Sequence, residues 1–169
     1  MISWDDTFFE VCEVVAKRSK DTSTKFGCVI VGPDREIRST GYNSFPRGIN
    51  DNDPARFERP YKYHFFEHAE RNAFYNAARM GTSTKGCTMY IAGLPCSGCA
   101  RSIIQCGIKE VVVKSILVPE RWLETCQAGL QMMLEAGVGV RRINQTIYLP
   151  ADAWKSVGVD NEAWGSSAT

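Results

Sequence analysis

The sequence predicts an α/β fold with a mixed sheet held between helix layers. Three observations predict it. The elements run helix, strand, strand, then helix and strand in alternation through three further pairs. The first two strands are joined by a tight turn, as in a hairpin. The chain has 169 residues with no internal repeat and no clear domain boundary, so it reads as one domain. A domain of that length buries roughly 70% of the surface its unfolded chain exposes, enough for one substantial core.

Ser3 and Asp6 have the spacing of a capping box, and Phe8, Val11, Cys12 and Val15 follow at i, i+3, i+4, i+7. The first element is therefore an amphipathic helix ending near Lys17. Cys28 to Val31 is a short apolar run, Gly32-Pro33-Asp34 turns the chain, and Ile37 to Tyr42 returns as the second strand. Residues 45–64 hold Pro46, Pro54, Pro60 and the polar run Asn50-Asp51-Asn52-Asp53, with no usable period. A structureless loop of that length inside a compact domain is uncommon and usually functional. A second helix starts near Glu67 or His68 and runs to Met80, with Gly81 as its stop. Cys87 to Ala92 is a strand, and Pro95 suits the first turn of the helix that reaches Cys106 before Gly107. Glu110 to Val113 is a buried strand, Pro119 opens a fourth helix to Ala136, and Val138 to Ile143 is the last strand. Residues 1–157 form the domain, and 158–169 are expected to be a flexible C-terminal tail.

The net charge of +1 gives no broad basic field, so an extended nucleic-acid polymer is not the expected partner. No apolar run of about 20 residues exists to span a membrane. The opening Met1-Ile2-Ser3-Trp4-Asp5-Asp6 lacks the basic-then-apolar pattern of a secretory signal. Seven cysteines are scattered, several within apolar runs, which reads as a reducing, cytoplasmic setting.

Two short motifs carry the chemistry: His68-Ala69-Glu70 and Pro95-Cys96-Ser97-Gly98-Cys99. His68, Cys96 and Cys99 are three good zinc ligands, and three protein ligands leave a fourth tetrahedral position for water. Cys96 and Cys99 share one stripe at the start of a helix, whose dipole favours thiolates. Glu70 stands two residues from His68, placed to move protons without having to ligate. This His-x-Glu and Pro-Cys-x-x-Cys pattern is the signature by which zinc-dependent nucleobase deaminases are recognised. A rival arrangement joins His64 to His68, Cys96 and Cys99 in a closed Cys2His2 site with no chemistry.

Wider stretches resemble the deoxycytidylate (dCMP) deaminases. They are Arg18-Ser19-Lys20-Asp21, Gly27-Cys28-Val29-Ile30-Val31, Gly41-Tyr42-Asn43, His68 to Ala73, Pro95 to Ala100 and Ile104 to Ile108. The resemblance implies a cytidine-deaminase-like three-layer α/β/α fold, with a five-stranded mixed sheet and helices on both faces. It implies hydrolysis of dCMP to dUMP and ammonia, feeding thymidylate synthesis. One zinc per subunit would sit on His68, Cys96 and Cys99, with Glu70 as the proton carrier. Asn43 would bond the sugar, the Ala69 backbone N–H the pyrimidine carbonyl, and Arg18, Ser19 and Lys20 would meet the phosphate. Members of the family are usually homohexamers activated by dCTP and inhibited by dTTP. Phe45, Arg47, Gly48, Ile49 and Asp51 occupy the place of their regulatory loop, where Mg2+ would accompany the effector triphosphate. Phe26, Cys28 and Ala92-Gly93 depart from the common pattern, which bears on the shape of the pocket.

Overall fold

The computed structural model describes residues 1–165. Helix α1 spans Trp4–Ala16, and the Ser3 hydroxyl caps it by accepting the Asp6 N–H at 3.0 Å while donating to the Asp6 carboxylate. Strands β1 (Gly27–Val31) and β2 (Ile37–Tyr42) pair antiparallel as the expected hairpin. Helix α2 covers Ala69–Met80 and ends at Gly81, whose φ of +66° suits a residue without Cβ. Strand β3 (Thr88–Ile91), helix α3 (Ser97–Gln105) and strand β4 (Glu110–Val113) follow. A two-residue strand β5 (Leu117–Val118) and a 3₁₀ turn (Glu120–Trp122) precede helix α4 (Leu123–Glu135). Strand β6 (Gly139–Arg142) completes the main sheet in the order β2-β1-β3-β4-β6.

The sheet is mixed because β1 lies antiparallel to both β2 and β3, whereas β3, β4 and β6 run parallel. Its side chains alternate between two cores. Val29, Val31, Tyr90 and Val112 meet Phe8, Phe9 and Cys12 of α1. Cys28, Ile30, Met89, Ile91, Val111 and Val113 face the other way, into the core that α2, α3 and α4 cover. Burial on both faces explains why the central strands read as unbroken apolar runs. At the far end Arg141 forks onto Asp5, which also accepts from the Tyr90 hydroxyl and the Asn144 N–H, tying α1 to β6. No described helix is long and apolar enough to cross a membrane.

Three expectations need correction. Pro95 precedes α3 instead of lying in its first turn, because Cys96 is the N-cap. The stretch 45–64 is not structureless: it holds two 3₁₀ turns, Pro54–Phe57 and Tyr61–His64, packed on an aromatic cluster of Phe45, Phe57, Phe65 and Phe66. Its ends meet where Ser44 and Glu67 exchange two backbone hydrogen bonds at 3.1 and 2.8 Å. The segment from Gly158 is not frayed as far as it is described. Strand β7 (Gly158–Val159) pairs parallel with β5, and Trp164 packs on Phe26 and Trp122. Residues 166–169 of the expected tail lie outside the described residues.

Candidate active site

Every part of the site gathers at one edge of the sheet, the carboxyl ends of parallel strands β3 and β4. Open α/β sheets bind ligands there. Gly27 pairs with Tyr42 and Cys28 with Ile91, so Phe26 before β1, Asn43 after β2 and Gly93 after β3 share this edge. His68 is the N-cap of α2 and Cys96 the N-cap of α3, so both helix starts point at the same place.

His68 Nδ1 lies 3.5 Å from Cys96 Sγ and 3.4 Å from Cys99 Sγ. Among the described residues these three donors form the one cluster able to hold a metal, all within 4.8 Å of one another. Tetrahedral zinc with ordinary Zn–S and Zn–N bonds needs an N-to-S separation of about 3.5 Å, so the donor set fits. His64 stays outside it, exposed on its 3₁₀ turn and packed edge-on against Tyr61. The closed four-ligand arrangement is therefore not formed. His64→Ala is expected to retain one zinc per chain by metal analysis, and loss of zinc from a folded variant would restore the Cys2His2 reading.

The thiols are strongly biased. The hydrogen bond from Cys99, aided by His68, brings the Cys96 thiol down to about 3, whereas Cys99, the donor and buried, is pushed well above its ordinary value. Even without metal the pair favours one thiolate. Glu70, in the first turn of α2, is 6% exposed, and burial raises its carboxyl although His68 pulls the other way. A buried carboxyl beside a metal position is suited to alternate between base and acid.

These groups line a cavity of about 530 Å³, within the range of small-ligand pockets. Asn43 and Ala69 line it as expected, and Ala69 is the first residue of α2, where a backbone N–H has no partner within the helix. The Asn43 amide is already held in place. Its Nδ2 donates to Asp21 and to the Thr24 carbonyl, and its Oδ1 accepts the Phe26 N–H, leaving that oxygen one lone pair for a ligand.

Arg18, Ser19 and Lys20 do not line the cavity. Ser19 is buried and its hydroxyl donates to the Asn43 carbonyl, while Lys20 pairs with Asp51 at 2.7 Å. The cations on the wall are Arg59, Lys62, Arg71 and Arg121. Lys62 is taken by Asp21 and Arg71 by Glu67. Phe45, Arg47, Gly48, Ile49 and Asp51 do not line the cavity either; Phe45 packs behind Phe66, and Arg47 donates to Asn76 on α2. Sequence reasoning missed Lys62, Arg121, Trp122 and Trp164, gave Asp21 no role, and placed Arg59 in the regulatory loop instead of on the cavity wall. The available signal was Pro119: it marks the start of an element after β4, and so places Arg121 and Trp122 at the ligand-binding edge. Trp122 packs 5.6 Å from the His68 ring.

The family model for the cytidine and deoxycytidylate deaminase zinc-binding region matches residues 2–115. The chain belongs to this family. It is 40% identical over 119 residues to the deoxycytidylate deaminase of Homo sapiens, a match covering 68% of this chain and 66% of that protein. A protein of Aliivibrio fischeri described as an uncharacterized deaminase is 38% identical over 158 residues, 92% of this chain and the full length of that one. The dCMP deaminase of cyanophage S-TIM5, solved with dCMP and dUMP, is 24% identical with a TM-score of 0.66, covering 81% of this chain and 94% of that one. The last of these likenesses shows the shared fold: a five-stranded mixed sheet with helices on both faces. Arg121, Trp122 and Trp164 of this family member fall beyond the matched residues 2–115.

Proposed function

We propose that the protein hydrolyses dCMP to dUMP and ammonia. The observation that carries the reading is a buried carboxyl, Glu70, beside three metal donors at the end of a nucleotide-sized cavity. The names of its relatives supply the substrate. His68, Cys96 and Cys99 would hold one zinc ion. When bound, zinc brings the pKa of its water to about 7. As the water oxygen bonds to the ring carbon that carries the amine, Glu70 would take the water's first proton and pass it to the ring nitrogen. It would then take the second and pass it to the amine, which leaves as ammonia while the oxygen becomes the new carbonyl. The Ala69 N–H supports the pyrimidine carbonyl, and Asn43 Oδ1 accepts from the sugar hydroxyl. Among the described residues Arg59 and Arg121 are the wall cations without a carboxylate partner, and they take the 5′-phosphate in place of Arg18, Ser19 and Lys20.

The test follows the loss of cytosine absorbance with dCMP, dCTP, deoxycytidine and guanine offered separately. The expected result is turnover of dCMP well above deoxycytidine, with that preference reduced in Arg121→Ala. Equal rates on the two, or turnover of guanine alone, would overturn the reading.

Regulation belongs to the same proposal: dCTP, carried with Mg2+, raises the affinity for dCMP and dTTP opposes it, in a homohexamer whose product feeds thymidylate synthesis. The support is the path of residues 45–66, which leave the strand ending near Asn43, touch α2 through Arg47, and return at His68. An effector acts as a switch only by binding two arrangements differently, typically by about 1–3 kcal/mol. Arg47→Ala is expected to blunt both effectors while sparing zinc content and maximal rate. Hyperbolic kinetics indifferent to both triphosphates in the unmodified protein would leave an unregulated deaminase.

A further inference from the structure

The far wall of the cavity is built by the end of the chain. Strand β7 pairs with β5, the Asp160 N–H donates to the Val118 carbonyl at 3.0 Å, and the Glu120 N–H donates to Asn161 Oδ1 at 2.9 Å. This bonding carries Trp164 back to the site. Its ring meets Trp122 with centroids 5.8 Å apart and Phe26 edge-on at 5.3 Å. Trp122 in turn meets His68, so aromatic rings run without a break from the metal donors to the edge of β1.

The seat of the indole is Gly93. A Cβ at that position would lie 2.7 Å from Trp164 Nε1 and 2.9 Å from Cε2, so no side chain fits there while the indole is in place. Trp164 Nε1 is buried and has no hydrogen-bond partner among the described residues. A smaller cavity of about 210 Å³, lined by Cys12, Lys25, Lys114 and Ala163 among others, lies on the other side. Phe26 and Trp164 line both cavities, so the two rings form the partition between them.

We propose that Trp164 is a specificity-determining residue: its ring, seated on Gly93 and braced by Phe26 and Trp122, is the wall against which the planar base of the nucleotide packs. This inference rests on the reading of the site as a nucleotide deaminase. Phe26 and Trp164 line both cavities, so taking away the indole would join the smaller space to the larger one and leave room for a bulkier base. The face of the indole is apolar and polarisable, which suits stacking on any base. Its N–H is turned to Gly93 and buried, so the contact offered to the base is the ring itself.

The experiment measures binding of dUMP and of dGMP to the zinc-loaded full chain by calorimetry, alongside dCMP turnover. Trp164→Ala is expected to weaken dUMP about tenfold, the scale of one base–aromatic contact, and to narrow the dUMP-over-dGMP preference. It should raise KM for dCMP far more than it lowers kcat. Trp164→Phe, which keeps a ring, should stay within about threefold on binding. Gly93→Leu, which displaces the indole, should weaken dUMP in the parent and add little in the Trp164→Ala background. That non-additivity separates a wall from a merely structural residue, and the Phe and Leu variants answer if the Ala variant folds poorly. Unchanged dUMP affinity in folded Trp164→Ala, or additive losses in the pair, would overturn the inference. A parent chain that binds dUMP without turning over dCMP would instead overturn the deaminase reading.

Discussion

Glu70→Gln is expected to lower turnover of dCMP by about 10²- to 10⁴-fold while one zinc per chain and the fold are retained. Gln keeps the shape of Glu70 in its buried place on the first turn of α2, so packing against the neighbouring core is preserved. It does not keep a group that can accept and return a proton. Glu70 is not among the three clustered metal donors, so its loss leaves the ligand set whole. Metal analysis and a single rate measurement check both halves of the expectation. A variant within about threefold of the parent rate would remove Glu70 from the chemistry.

The second large effect is expected from Lys62→Ala, which should lower folding stability by about 3–5 kcal/mol in a urea titration at neutral pH. The Lys62 ammonium lies 2.5 Å from Asp21 Oδ2, and the two side chains are 7% and 4% exposed. Burial works against the charge on both groups, yet the Asp21 carboxyl is held below its ordinary range by Lys62 and by the Ser23 amide and hydroxyl. Removing the cation leaves a buried carboxylate without its counter-charge, the costly way to break such a pair. Typical domains are stable by only about 5–15 kcal/mol, so the loss is a large share. Asp21 also receives Asn43 Nδ2 at 3.1 Å, so KM for dCMP should rise together with the loss of stability. Asp21→Asn combined with Lys62→Met removes both charges and is expected to cost less than Lys62→Ala alone. A Lys62→Ala variant within about 1 kcal/mol of the parent would show that the pair does not hold this wall.

The three clustered metal donors and Glu70 are legible in the sequence because the spacing is local. Residues two or three apart at a helix start stay neighbours whatever the rest of the chain does, and the types involved are chemically narrow. The five main strands are legible for a related reason: turns and glycine stops bound short apolar runs whose burial is dictated by the helices on both faces. The rest of the cavity is assembled at long range. Lys62 reaches Asp21 from 41 positions away, and Trp164 reaches Gly93 from 71 positions away, and no period announces either contact. The basic run at the end of α1 resembles a phosphate grip, but the chain turns after Lys17 so that Ser19 faces inward and Lys20 meets Asp51. Strands of two residues, such as β5 and β7, are too short to leave an alternation, so the pairing that anchors the C-terminal segment had no signature.

The two hydrogen bonds between Ser44 and Glu67 make residues 45–66 an interchangeable cassette. A loop whose ends are clamped together transmits little of its own length to the scaffold, and the entropy of closing it grows only slowly with added residues. Asn43 and His68 lie just outside the clamp, one at each of its ends. A few contacts cross the boundary: Lys62 meets Asp21, Asp51 meets Lys20, Arg47 donates to Asn76 and Arg59 to Ser23. A scaffold of this kind can exchange its cover, and with it whatever the cover recognises, provided those few contacts are kept or replaced.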